Sequence, residues 1–153
     1  MDCSLIALLD HRNRNTSEGI RNVFQKSYAV EAEILKAKNF PPLKRPLQDF
    51  ISSNNDFFGY FEEVELAGVT EIKVCPNYIH IQSLVVAPEF FKRGIGQALI
   101  KHVFETYESD VFIVETGLDN TPATNLYKKF GFKEIKQYDT EVGIRKVRFR
   151  RQS

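Results

Sequence analysis

Two glycines one residue apart, Gly94-Ile95-Gly96, follow the basic pair Lys92-Arg93 at the point where an apolar stretch ending in Val86-Ala87-Pro88 gives way to a helical pattern. Glycine lets a ligand approach the backbone closely, unpaired amides at a helix N-terminus bind anionic oxygens, and the two cations add charge beside them. The chemistry these residue types point to is the binding of a phosphate or pyrophosphate; the same residues also make a tight turn with a solvated basic pair. A dinucleotide fingerprint needs a third small residue three positions after Gly96, where Leu99 stands, and a nucleotide P-loop needs Gly-Lys-Ser/Thr, which the chain lacks. Both of those folds also start from a parallel sheet, which the preceding segments do not predict.

The elements that must position this loop are legible from periodicity. Leu5 to Leu9 reads as a first strand, and Thr16-Ser17-Glu18 offers capping residues ahead of one or two helices carrying Ile20, Val23, Phe24, Tyr28, Ile34 and Leu35. Three prolines in Phe40 to Pro46 exclude helix and central strand and predict a rigid loop, with a helical turn at Leu47 to Ile51. Phe57 to Val64, Val69 to Val74 and Tyr78 to Val86 read as an antiparallel meander, with turns at Glu65 to Gly68 and Cys75 to Asn77. In the middle strand Thr70, Ile72 and Val74 share one face, leaving Val69, Glu71 and Lys73 on a wetter one. Ile95, Leu99, Val103 and Tyr107 then mark an amphipathic helix, and Val111 to Val114 a buried strand parallel to Tyr78 to Val86. Thr121-Pro122 resembles an N-cap with proline at the first helical position, Gly131 a helix stop, and Lys133 to Tyr138 with Gly143 to Arg150 a closing pair of strands.

The chain's 153 residues, 42% hydrophobic and 27% charged, predict one compact domain over 1–153. Twenty-one Lys plus Arg against 20 Asp plus Glu leave a net charge of +1, which disfavours bulk binding to nucleic acid or an acidic membrane. Arg145 to Arg151 holds five basic residues in seven, but Val147 and Phe149 alternate with Arg148 and Arg150 as in a half-buried strand. Cys3 and Cys75 are too few and too far apart for a thiol pair or zinc site, and His11, His80 and His102 show no metal-ligand spacing; His11 and His102 read as surface residues. No metal is expected, and with no apolar run of membrane length or basic leader the expected location is cytoplasmic.

Two blocks together resemble the Gcn5-related N-acetyltransferase (GNAT) family. Leu84-Val85-Val86-Ala87-Pro88 followed by Phe91-Lys92-Arg93-Gly94-Ile95-Gly96 is similar to that family's acetyl-CoA loop, Gln/Arg-x-x-Gly-x-Gly/Ala after a strand, with Phe91 standing where the family usually has Gln or Arg. Asn120 to Phe132 looks like its second block, with Asn120, Ala123, Leu126-Tyr127 and Gly131-Phe132 in the family's order. The resemblance implies an α/β mixed sheet of six or seven mostly antiparallel strands, with the fourth and fifth parallel and splayed, and about four helices. It implies an acetyl-CoA-dependent acyltransferase that moves the acetyl group directly to a primary amine of a small molecule or peptide.

The implied cofactor contacts are the backbone of Leu84, Val85 and Val86 for pantetheine, the loop Phe91 to Gly96 for pyrophosphate, and Asn120 and Ala123 for the arm. A thioester reaction needs an uncharged amine, donors for an oxyanion and a proton for the leaving thiolate. Tyr127 corresponds to the family's tyrosine that hydrogen-bonds the cofactor's thiol sulfur and can act as general acid, although alone it reads as a core aromatic beside Leu126 and Phe130. A glutamate base used by several members aligns with His80, fourteen residues before Gly94. Glu71 and Glu115 are alternative carboxylates, and Gln82 or Ser83 could hold a relay water. Glu31, Glu33 and Glu71 could attract a cationic amine, and Asn120 reads equally as a helix cap. Rival classes are a catalytically silent CoA-binding sensor and a nucleic-acid binder with a basic tail; the oligomeric state stays open between monomer and homodimer.

Overall fold

A computed structural model describes residues 4–153, so Cys3 lies outside the described residues. Seven strands form one sheet in the order β1-β2-β3-β4-β5-β7-β6. They are β1 Ser4–Leu8, β2 Asp56–Glu62, β3 Glu65–Val74, β4 Ile79–Val86, β5 Val111–Gly117, β6 Lys133–Asp139 and β7 Arg145–Gln152. All neighbours are antiparallel except β4 and β5. The helices are α1 Arg14–Leu35, α2 Leu47–Ile51, α3 Ile95–Thr106 and α4 Thr121–Lys129, with single 3-10 turns at Pro41–Lys44 and Pro88–Phe90.

Helix α1 is one 22-residue helix, and its cap is Asn13, whose side chain accepts from the Thr16 amide at 3.1 Å. The expected capping residues at 16–18 are inside the helix; Ser17 is fully buried and donates to the His11 carbonyl. Ile20, Val23 and Phe24 bury the inner face of α1 against Phe50, Phe57, Val69 and Val85. Full burial of one such phenylalanine stabilises the fold by about 1.5–3 kcal/mol. The opposite face of the sheet carries α3 and α4, where Ile100, Val103 and Tyr127 pack on Ile72, Ile81 and Val114.

Because α1 and α3 cover both faces, the alternation expected of β3 does not hold: Ala67 through Ile72 are all buried, and Glu71 is 1% exposed. The turn before β3 also differs. It falls at Glu63-Val64, with Glu63 at φ 57°, and residues 65–68 begin the strand. Gly68 serves close packing there, since a Cβ would lie 2.8 Å from Ile95 Cγ2. His11 and His102 are half-buried, not surface residues, with rings 4.8 Å from Phe57 and 5.0 Å from Phe58 respectively.

The sheet opens at its centre. Glu71 pairs with Ser83 and Ile72 with Ile81, so Gln82 is an extra residue in β4. Such a bulge bends the strand that contains it. Pairing with β5 runs Ile79 to Phe112, His80 to Ile113 and Ile81 to Val114, and stops there, although β4 continues to Val86 and β5 to Gly117.

Candidate active site

A cavity of about 280 Å³ lies where β4 and β5 part. Residues 81–84 of β4 and 114–117 of β5 form its floor, and Tyr127, Asn120 and Ala123 come from α4 and its entry. Tyr28, Glu31 and Leu35 of α1 line another wall, closed by Phe40 to Pro42 and by Val142 and Ile144 between β6 and β7.

Tyr127 is 4% exposed and its ring is fixed between Phe132 and Phe149, with centroids 5.8 and 6.0 Å away. Burial, with Tyr28 and Glu31 nearby, pushes its hydroxyl well above the usual tyrosine range, so it keeps its proton at neutral pH. Tyr28 is raised in the same direction by burial and by Glu31. Glu31 accepts from Thr116 Oγ1 at 3.2 Å. For Glu115, burial acts upward, but hydrogen bonds from the Tyr138 hydroxyl and from Arg148 Nη1 at 2.8 Å, together with Lys146, hold its carboxyl below the usual range.

Of the expected bases, His80 and the alternative Glu71 lie outside the cavity wall, whereas the other alternative, Glu115, lines it. His80 is half-buried on β4 before the bulge; burial lowers its pKa, Glu115 opposes this, and Arg148, Lys73 and Lys146 add to the lowering. Glu71 is enclosed on the α1 side. Its oxygens take Arg45 Nη1 at 2.7 Å and Nη2 at 3.0 Å, Asn55 Nδ2 at 2.9 Å and Ser83 Oγ at 3.4 Å. Those four donors occupy the four lone-pair directions a carboxylate offers. Glu33 is exposed and away from the cavity.

Of the residues expected at a cofactor, Leu84, Asn120, Ala123 and Tyr127 line the cavity. Val85 turns to the α1 core and Val86 to the cluster at the start of α3. Asn120 is the N-cap of α4, as one of its two readings had it and in place of Thr121, accepting from the Ala123 amide at 3.4 Å. The loop 91–96 lies outside the cavity wall, at the N-terminus of α3. Gly94 is the N-cap with φ 77°, no side chain caps the helix, and nothing stands within 4 Å of where a Cβ would be. Lys92, at φ 65°, and Phe91 are exposed. Arg93 does not add a free charge: its Nη1 lies 2.8 Å from Glu62 Oε1 and its guanidinium rests over Phe90. An uncapped, sterically open helix start beside Lys92, which has no carboxylate partner among the described residues, suits an anionic group, and the unpaired β5-facing edge of β4 after Ile81 suits an extended amide-bearing chain. The residues therefore fit coenzyme A.

Tyr28, Thr116 and Lys146 at the cavity were not singled out as site residues by sequence reasoning. Tyr28 reads as one more core aromatic of α1, and only its polar tip at the end of the apolar stripe distinguishes it. Among the described residues, no group of three or more His, Cys, Asp or Glu is placed to hold a metal ion.

A mixed sheet split between two parallel strands, with a glycine-rich helix start beside the split, defines an acyl-CoA-binding fold class. The chain belongs to the acetyltransferase (GNAT) family, whose model matches residues 18–132. It is similar to the UPF0157 protein YqkA of Bacillus subtilis (strain 168), 31% identical over 141 residues that make up 92% of this chain and 41% of that protein. An N-alpha-acetyltransferase of Sulfurisphaera tokodaii is 37% identical over 76 residues, 45% of this chain and 46% of the other. The chain thus spans less than half the length of these curated relatives. The crystal structure of the PaiA N-acetyltransferase from Thermoplasma acidophilum, in complex with coenzyme A, superposes with a TM-score of 0.74 at 17% identity, covering 98% of this chain and 99% of that one.

Proposed function

We propose that this chain is an acetyl-CoA-dependent N-acetyltransferase, one domain over 1–153, that acylates a primary amine of a small molecule or peptide by direct transfer. The observation that carries the reading is the cavity at the β4/β5 split, with a protonated phenol, Tyr127, on one wall and the carboxylates Glu31 and Glu115 on the others. Acetyl-CoA, when bound, supplies the activated acetyl thioester. Amides 94–96 and Lys92 hold its phosphates, and the free β4 edge at Leu84 to Val86 holds its arm. Tyr127 Oη lends a proton to the leaving thiolate and recovers one from the acylated nitrogen, which sheds its second proton as the amide forms. Glu31 draws in an ammonium ion and, facing the cavity, takes the proton that must leave before the nitrogen can attack; Glu115 is already occupied by Arg148 and Tyr138. His80 and Glu71 are not the base on this reading, because neither faces the cavity. The apolar collar of Phe40 to Pro42, Val142 and Ile144 accommodates the carbon skeleton next to the amine, and the N-alpha-acetyltransferases among the relatives favour a peptide.

The test is thiol release from acetyl-CoA across polyamines, amino acids, aminoglycosides and peptide N-termini. We expect turnover with at least one class, and in Tyr127→Phe a kcat lower by about 10²-fold, the size of a lost general acid, with CoA affinity retained. A protein that binds CoA but releases no thiol with any amine is the silent sensor instead.

A further inference from the structure

Glu71 is the fully buried ionisable group that this mechanism leaves unused, yet it is connected to the cavity. Ion-paired with Arg45, its carboxylate accepts and cannot donate, and the Ser83 hydroxyl donates its one proton to it across a long 3.4 Å. Ser83 Oγ is then left to accept, and the hydroxyl 3.2 Å from it is that of Tyr28. Tyr28 also has a single proton, and the chain commits that proton to Ser83. Its oxygen lone pairs are left to accept from the cavity that Tyr28 lines together with Glu31, one helical turn along the same face of α1. The ring cannot readily swing away, since it is wedged between Phe24 and Phe40, each 5.8 Å distant.

We propose that Tyr28 binds the acceptor amine through its hydroxyl oxygen, and that Ser83 and Glu71 are positioning residues that turn this oxygen to accept; the proposal rests on the acetyltransferase reading above. An ammonium ion only donates hydrogen bonds. A freely rotating phenol could turn its proton toward Glu31 and meet the ammonium with a hydrogen. The directional chain Tyr28 to Ser83 to Glu71 prevents that and gives the site a second acceptor beside Glu31. Arg45, which holds Glu71 in place, belongs to the proline loop whose Phe40 to Pro42 close the same cavity, so the loop that shapes the acceptor side and the hydroxyl that reads the amine share one anchor.

The experiment is an NMR titration of the full chain with n-butylamine, alongside CoA binding and thiol release from acetyl-CoA with the same amine. Tyr28→Phe should bind the amine about tenfold more weakly, the scale of one hydrogen bond to a charged group, with unchanged melting and CoA affinity. Ser83→Ala should weaken amine binding to a lesser extent, and the double variant should be no weaker than Tyr28→Phe alone, because Ser83 acts only through Tyr28. In turnover the loss should appear in KM for the amine and not in kcat. The proposal is overturned if wild type does not bind the amine, if Tyr28→Phe binds it as wild type does, or if the two substitutions simply add. Amine binding that depends on Tyr28 without any thiol release keeps this site and sinks the acetyltransferase reading; thiol release with Tyr28→Phe binding amine normally does the reverse.

Discussion

His80 and Glu71 lie on neighbouring central strands with side chains that could both accept a proton, and the cavity receives neither of them. Their placement follows from the bulge at Gln82 and from α1, which covers Glu71 on a face that alternation alone would leave wet. For His80 the consequence is a pH dependence of stability. Burial lowers its folded pKa below the ordinary 6.5, so the unfolded chain binds the proton more readily and acid favours unfolding. Its contribution is fully present above 6.5 and is lost as the pH falls through its lowered folded value. Denaturant midpoints across this range should show a stability difference between wild type and His80→Gln that is level at alkaline pH and moves against wild type as the pH drops below 6.5. A constant difference down to about pH 5 would mean that the imidazole titrates alike in both states. Glu115 acts at lower pH, its stabilising contribution disappearing only as acid passes below the ordinary carboxyl value of 4.5.

The glycine-rich start of α3 was legible as an element because its chemistry is local: Gly94 supplies a positive φ and leaves the amides open whatever the remainder of the chain does. The basic pair before it was half legible. Lys92 and Arg93 are equivalent in sequence, but Glu62 on β2 is thirty-one residues away and captures Arg93 alone. Lys92→Ala should therefore weaken CoA binding by about threefold to tenfold, with an effect that shrinks in about 0.5 M salt, whereas Arg93→Ala should change it by less. Equal losses measured by calorimetry would show that Arg93 leaves Glu62 for the phosphates. The β2–β3 turn and the α1 cap were each displaced by a few residues for a related reason. Glu65 to Gly68 has turn composition, but Gly68 is needed where Ile95 presses on the sheet, and Asn13, whose side chain accepts from the Thr16 amide, starts the helix ahead of Thr16.

Across the whole molecule, the ion pair between Arg45 and Glu71 ties the proline loop to the centre of the sheet. Arg45 also lies 4.1 Å over the Phe50 ring, so its guanidinium joins α2, β3 and the loop in one contact. Arg45→Ala leaves a carboxylate buried without its countercharge and should cost about 3 kcal/mol, lowering the melting temperature by about 10 °C. Restoring an apolar match with Arg45→Met and Glu71→Leu should recover much of that loss in a thermal melt; no recovery would locate the cost in the loop instead. The near-zero net charge conceals this arrangement, as it does the pairing of Arg148 with Glu115 and the stacking of Arg151 on Phe104, which bind much of the basic C-terminal strand to its own fold. Taken alone, the sequence determined the order of the elements and the glycine-rich start of α3, because periodicity, proline, glycine and capping chemistry act over a few residues. Only the tertiary structure decided which carboxylates face the cavity, which cation is free and how Tyr28 is oriented. Those outcomes depend on one extra residue in β4, on a helix laid across β3, and on hydrogen bonds between residues far apart in the chain.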